Sequence, residues 1–274
     1  VTKLLFHPAT QLQLEQYASH LPGALLITGV IGIGLTSAAK QLTDASKAIT
    51  YTVLPEKDEK VDIEKGSITI DSIRHLYTLT KTIEPNGRVI IIDCAERMAK
   101  PAQNAFLKLL EEPAEGTHFV LLTHQPGLLL PTVLSRVQRL DMRPITKDQS
   151  EELLDKLKVR DDRQKAQLLF IAGGLPAELT RLTTDTEYFK HRSGVIKDAR
   201  EYIVGNAYSR LLIAKQYKDD RSQALLLLSD AMRLLQKTLV DGGDASSIAT
   251  ITQLEEVYGR IQGNGNIRLQ LASL

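Results

Sequence analysis

The sequence predicts an α/β domain built on a parallel sheet, followed by an all-α region. Three observations carry that prediction. Short, continuously apolar runs alternate with helical patterns over the first half of the chain, as expected of a sheet covered by helices on both faces. A glycine-rich segment, residues 29–36, joins the first apolar run to a helical pattern. After Pro144 the β-branched runs become scarce and the chain reads as almost wholly helical.

The strand candidates are Ala24–Thr28, 48–53, Arg88–Ile92, 119–123 and, more weakly patterned, 137–142. Helical patterns occupy 11–19, 36–45, 70–82 and 100–110. Residues 55–66 are charged and lack periodicity, so they read as an exposed loop. Thr146, Lys147, Asp148 and Gln149, followed by Glu151 and Glu152, read as a helix start with acids in its first turn. The break Gly173-Gly174-Leu175-Pro176 separates a short helical unit from a longer one. Farther on, Leu225, Leu228, Met232, Leu235 and Leu239 repeat at the 3-4-3-4 spacing of a buried helix face. Asp241-Gly242-Gly243-Asp244 and Gly263-Asn264-Gly265 read as turns between helices.

Composition narrows the function classes. The 274 residues are 43% hydrophobic and 24% charged, values of a globular chain, and a net charge of +1 gives no global field that would draw the molecule to nucleic acid. Any DNA contact would come from a local patch or from partner subunits. One cysteine, Cys94, excludes an intrachain disulfide framework and a cysteine-based zinc cluster. No apolar stretch approaches the roughly 18 residues of a membrane helix, and the N-terminal residues lack a secretory apolar core. A cytoplasmic location with no membrane partner is the expectation. A chain beginning at Val1 leaves open whether residues precede it.

Within residues 29–36, Gly29, Gly34 and Thr36 fit the frame G-x-x-x-x-G-K-[ST], but Leu35 stands where the lysine belongs. In such a loop the glycines let backbone N–H groups wrap phosphate oxygens and the hydroxyl holds Mg²⁺. The lysine reaches the β- and γ-phosphates and offsets their charge. Leu35 supplies no charge. The context of strand, glycine loop and helix suits a nucleotide-binding ATPase scaffold that has lost the means to hydrolyse, although an ordinary glycine-rich turn between strand and helix reads the same from this segment alone.

Four further stretches follow in order. Residues 68–74, Ile-Thr-Ile-Asp-Ser-Ile-Arg, open a helix, and Val89-Ile90-Ile91-Ile92-Asp93 is a buried strand ending in an acid. An ATPase holds Mg²⁺ indirectly from that acid's position. Residues 103–113, Gln-Asn-Ala-Phe-Leu-Lys-Leu-Leu-Glu-Glu-Pro, form a helix stopped by proline, and Thr132-Val133-Leu134-Ser135-Arg136 follows the fourth strand. The series resembles the clamp-loader branch of the AAA+ ATPases, closely over residues 20–140 and more loosely into Asn266-Ile267-Arg268-Leu269. The resemblance implies an AAA+ parallel-sheet P-loop domain over 1–144, a small helical lid over 145–184 and a C-terminal helical collar over 185–274.

It also implies roles for single residues. Asp93 and Thr36 would face the metal of a nucleotide site, and Thr123 matches the sensor position that watches the γ-phosphate, although an ordinary strand-end threonine reads the same. Ser135 and Arg136 match a Ser-Arg-Cys motif whose arginine acts as a finger on the nucleotide of a neighbouring subunit; here Val137 replaces the cysteine. A basic surface segment is the alternative, since Arg139 and Arg143 lie nearby. Phe106, Leu107 and Leu110 share a helix face and are expected in the core. Glu111 and Glu112 sit unfavourably at a helix C-terminus, which favours a structural or partner-binding reason for them.

Three parts of a hydrolytic site are missing. Leu35 replaces the lysine, Cys94 stands where active members place a glutamate, and Pro176 falls where motor subunits carry a sensor arginine. The resemblance therefore implies a non-catalytic stator of a bacterial clamp loader, acting in DNA replication. Its partners would be gamma/tau-like and delta-like loader subunits, with the sliding clamp and primed DNA reached through the assembly. No cofactor of its own is firmly expected; ATP and Mg²⁺ would be bound by the neighbouring subunit. Many bacterial members carry a four-cysteine zinc module after the P-loop helix, but residues 44–66 contain no cysteine, so no metal site is carried over. The alternatives are a divergent ATP-hydrolysing motor, with a residue such as Lys40 serving the phosphates, and a DNA-binding or replication-restart adaptor outside a loader.

Overall fold

The computed structural model of the chain describes residues 4–46, 48–63, 65–82, 84–240 and 246–273. They fall into two compact units, Val1–Thr183 and Thr184–Leu274.

The first unit is built on strands β1 (Ala24–Thr28), β2 (Ile49–Val53), β5 (Arg88–Ile92), β6 (Thr117–Thr123) and β7 (Gln138–Asp141), with a separate hairpin of β3 (Glu56–Lys57) and β4 (Lys60–Val61). The five strands form one parallel sheet in the order β2-β5-β6-β1-β7. β1, β5 and most of β6 are buried along their length, which is why they read as unbroken apolar runs rather than alternating ones. Around the sheet lie α1 (Pro8–Ser19), α2 (Leu35–Ser46), α3 (Ile70–Leu79), α4 (Lys100–Glu111) and the single turn α5 (Pro131–Leu134). One face carries Phe6, Leu14, Ile27, Leu35, Leu42 and Leu122 among its buried residues. The other carries Ile73, Ile90, Phe106, Phe119 and Val133. There Phe106 and Phe119 meet edge to face with centroids 5.1 Å apart, a geometry worth about 0.5–1.5 kcal/mol beyond area burial.

Helices α6 (Lys147–Lys156), α7 (Asp162–Ala172) and α8 (Pro176–Thr184) complete this unit. The reading of Thr146 as a helix start is met by a full capping box with Gln149. Gly173 closes α7 in the left-handed region at φ 57° and Gly174 follows at φ 79°, with Ile145 Oxygen so close that a Cβ at Gly174 would lie 2.9 Å from it.

The second unit consists of α9 (Thr186–Val204), α10 (Ala207–Gln216), α11 (Arg221–Val240), α12 (Ser246–Gln262) and α13 (Ile267–Ala272). Asp185, Asn206 and Asn266 cap α9, α10 and α13 with their side chains. In its core Arg192 and Asp230, each 4% exposed, pair at 2.7 Å, and Arg233 adds a second contact to Asp230 at 2.8 Å. Tyr202 donates to the Leu271 carbonyl at 2.6 Å, tying α9 to α13.

Several expectations shift in detail. Residues 55–66 contain the small hairpin, turned by Asp58 and Glu59 in the left-handed region at φ 51° and 62°; its brevity and exposed polar faces hide any strand pattern. The third helix stops at Leu79 rather than 82. In α4 it is Leu109 that joins Phe106 and Leu110 in the core, while Leu107 is only partly buried. In α11 the buried face is centred on Ala224, Leu227, Leu228, Ala231 and Leu235, with Leu225 and Met232 at its margin and Leu239 half-buried. Small alanines permit close helix contact there, and a leucine-only pattern misses them. The turn at Gly263-Asn264-Gly265 is present, with Asn264 at φ 71°. Asp241-Gly242-Gly243-Asp244 lies outside the described residues.

Among the described residues no helix is long and apolar enough to cross a membrane, and no group of three or more His, Cys, Asp or Glu is placed to hold a metal ion.

Candidate functional site

The loop after β1 and the ends of β5 and β6 lie at the C-terminal edge of the sheet, where open α/β sheets hold ligands. There the fold brings together residues far apart in sequence. Thr36, in the first turn of α2, donates through Oγ1 to Asp93 Oδ2 at 3.5 Å. Asp93 follows β5, and its Oδ1 accepts from the Cys94 N–H at 2.9 Å. The pair expected to face a metal is thus adjacent.

The rest of the loop is packed by the chain itself. Leu35 is 4% exposed and belongs to the core beneath the sheet, with Phe6, Leu14 and Leu42. An apolar side chain there adds to packing and leaves the loop without its lysine charge. Gly32 and Gly34 adopt φ 88° and 97°, so the loop keeps the backbone form that glycine permits. Around it, however, the chain itself packs closely. The Gly32 carbonyl accepts from both the Ala177 and Glu178 N–H groups at 3.0 Å. These donors belong to the first turn of α8, where a helix has no internal acceptors. A Cβ on Gly32 would lie 2.9 Å from Glu178 Cβ, and one on Gly34 would fall on the Leu4 side chain. Pro176, at the predicted sensor arginine position, is buried.

Thr123 ends β6 and is 1% exposed; its hydroxyl accepts from the Gln125 N–H at 3.0 Å. The residue that reaches the loop is the next one, His124, whose Nδ1–H donates to the Gly29 carbonyl at 2.7 Å. Sequence pattern offered no signal for His124, because only the register of β6 beside β1 brings it there. Cys94 sits in the left-handed region at φ 53°. Burial, then the carboxylates of Asp93 and Glu96, push its thiol up to about 12, so it is neither a base nor a nucleophile near neutral pH.

A second group lies on the exposed segment after α5. Arg136 Nε and Nη2 both reach Glu111 Oε1, at 3.0 and 2.7 Å. Its Nη1 donates to the Thr132 carbonyl at 3.0 Å and to Ser135 Oγ at 3.3 Å. Ser135 and Arg136 thus contact one another, and Glu111 at the end of α4 has an ionic partner. Arg139 is engaged elsewhere, with Asp141 at 2.7 Å. The segment is tied to α4 by buried Gln103, whose amide donates to the Met98 and Leu128 carbonyls at 3.1 and 3.2 Å and accepts from the Leu130 N–H at 2.7 Å. Gln103 stood in the helix motif, but its bridging role depends on the loop that folds back onto it.

Comparison with known proteins adds to this geometry. Residues 49–146 match the family model described as DNA polymerase III, delta subunit. Over 208 residues, 74% of the chain, the sequence is 33% identical to DNA polymerase III subunit delta' of Pseudomonas aeruginosa, and over 116 residues, 42% of the chain, it is 36% identical to the protein of the same name from Bacillus subtilis. The chain's matches span 59% and 34% of the length of these relatives. A DNA polymerase III gamma subunit-related protein of Thermotoga maritima has the same fold at TM-score 0.53 and 19% identity, over 96% of both chains. The five-stranded parallel sheet agrees with the fold likeness, and in sequence the chain is similar to DNA polymerase III delta' subunits, spanning less than two thirds of their length.

Proposed function

We propose that the chain is a non-hydrolysing, delta-prime-type subunit of a bacterial clamp loader, acting in DNA replication as stator and donor of Arg136 to a neighbour's nucleotide. The observation that carries this reading is the contrast between two residues. Leu35 is committed to the core, whereas Arg136 stands on the surface in an ordered hold. An arginine at that place can grip phosphate bidentately and offset transition-state charge. The close packing of Leu4 and α8 on the loop supports a site that takes no nucleotide for hydrolysis. In this reading residues 1–144 form the AAA+ domain, 145–184 the lid and 185–274 the collar that joins gamma/tau-like and delta-like subunits. ATP and Mg²⁺ are held by the neighbour, and clamp and primed DNA are met through the assembly in the cytoplasm.

The retained Thr36–Asp93 contact favours the alternative, a divergent motor with its own metal-nucleotide site. Two measurements separate them. The purified chain is expected to turn over no ATP, and Arg136→Ala is expected to lower the ATPase of the loader reconstituted with clamp and primed DNA. Robust turnover by the isolated chain would overturn the stator reading, and an unchanged complex would remove Arg136 from it.

A further inference from the structure

Arg136 has five N–H donors, and four contacts within its own chain engage all three nitrogens. Those contacts are not equivalent. Glu111 alone is charged, and it takes the edge formed by Nε and Nη2. The Nη1 partners are neutral, a carbonyl and a hydroxyl on exposed residues, and can be exchanged for a stronger acceptor such as a phosphate oxygen. Glu111 also stands on a rigid base. It is the last residue of α4, whose Ala102, Phe106, Leu109 and Leu110 are buried. A carboxylate at a helix C-terminus opposes the dipole, and the guanidinium offsets that. The pair is 37% and 49% exposed, so it adds little to stability; what it restricts is the freedom of a long side chain.

We infer that Glu111 is a positioning residue for Arg136: it fixes the Nε edge of the guanidinium and leaves the Nη edge to meet the phosphates held by an adjoining subunit. This inference rests on the reading of Arg136 as a finger acting in trans. Preorganisation of this kind lowers the barrier by holding the group near its productive geometry, and loss of such a hold costs about tenfold or more in rate.

The test uses the whole reconstituted loader, stimulated by clamp and primed DNA, with Glu111→Ala, Glu111→Gln, Arg136→Ala and the double Glu111→Ala/Arg136→Ala variant. Glu111→Ala is expected to lower kcat about tenfold with KM for ATP and the melting temperature of the chain unchanged. Glu111→Gln keeps an acceptor oxygen and should recover part of the rate. The double variant should be no slower than Arg136→Ala alone. If Arg136→Ala leaves the rate unaltered, the finger reading fails and this inference with it. If Arg136→Ala slows the loader while Glu111→Ala leaves it unchanged or faster, only the positioning role fails, and a faster variant shows that Glu111 restrains the arginine instead. An Arg136 Nε–H resonance in the isolated chain that does not move on Glu111→Ala would overturn the tie itself.

Discussion

Leu35 links electrostatics to packing at a single position. Its side chain lies in the core with Phe6 and Leu14, so replacing it by the absent lysine places an ammonium among apolar groups. Leu35→Lys is expected to lower stability by about 1.5–3 kcal/mol in urea unfolding and not to create binding of a fluorescent ATP analogue. Tight binding by that variant would show that the charge alone was missing. Cys94 allows a pH prediction. Its proton is held more tightly in the folded chain, at about 12 against an ordinary 9.0. The resulting stabilisation is present below about pH 9 and is lost as pH rises toward about 12. At pH near 8 its alkylation by iodoacetamide should be slow in the native protein and fast in urea. The identities of Leu35 and Cys94 were visible in sequence; the burial of the first and the half-buried, acid-flanked setting of the second were not, because both depend on tertiary packing.

Among elements, the start and stop signals were the most legible features. Proline after Glu112, acids after Thr146 and paired glycines at 173–174 act through local backbone geometry, and each takes effect where the sequence places it. Thr146→Ala should cost about 1 kcal/mol by removing the N-cap of α6, read as a lower melting temperature with unchanged far-ultraviolet circular dichroism at room temperature. The hairpin of β3 and β4 was not legible, since two-residue strands carry no period. Nor was the union of the glycine loop with α8, because Gly32 and Ala177 meet only through tertiary packing. That union predicts the response to Gly32→Ala. With φ at 88° and Glu178 Cβ in the way, the variant should be destabilised and should expose the segment around Gly174 to proteolysis sooner than wild type.

For the whole molecule, each unit has its own apolar core, and the second adds a buried ion pair. Removing one partner of such a pair is strongly destabilising, so Asp230→Ala should cost about 3–5 kcal/mol, measured by chemical denaturation. The variant loses the carboxylate that both Arg192 and Arg233 contact in a site 4% exposed. By itself the sequence determined the order of the five sheet strands and of helices α1 to α4, the loss of the loop lysine and the presence of a Ser-Arg segment. Those are properties of local periodicity, turn chemistry and residue identity. Only the tertiary structure decided that Leu35 is core, that His124 rather than Thr123 meets the loop, and that Glu111 holds Arg136. These contacts join residues from different elements, and their geometry is set by sheet order and helix packing rather than by spacing along the chain.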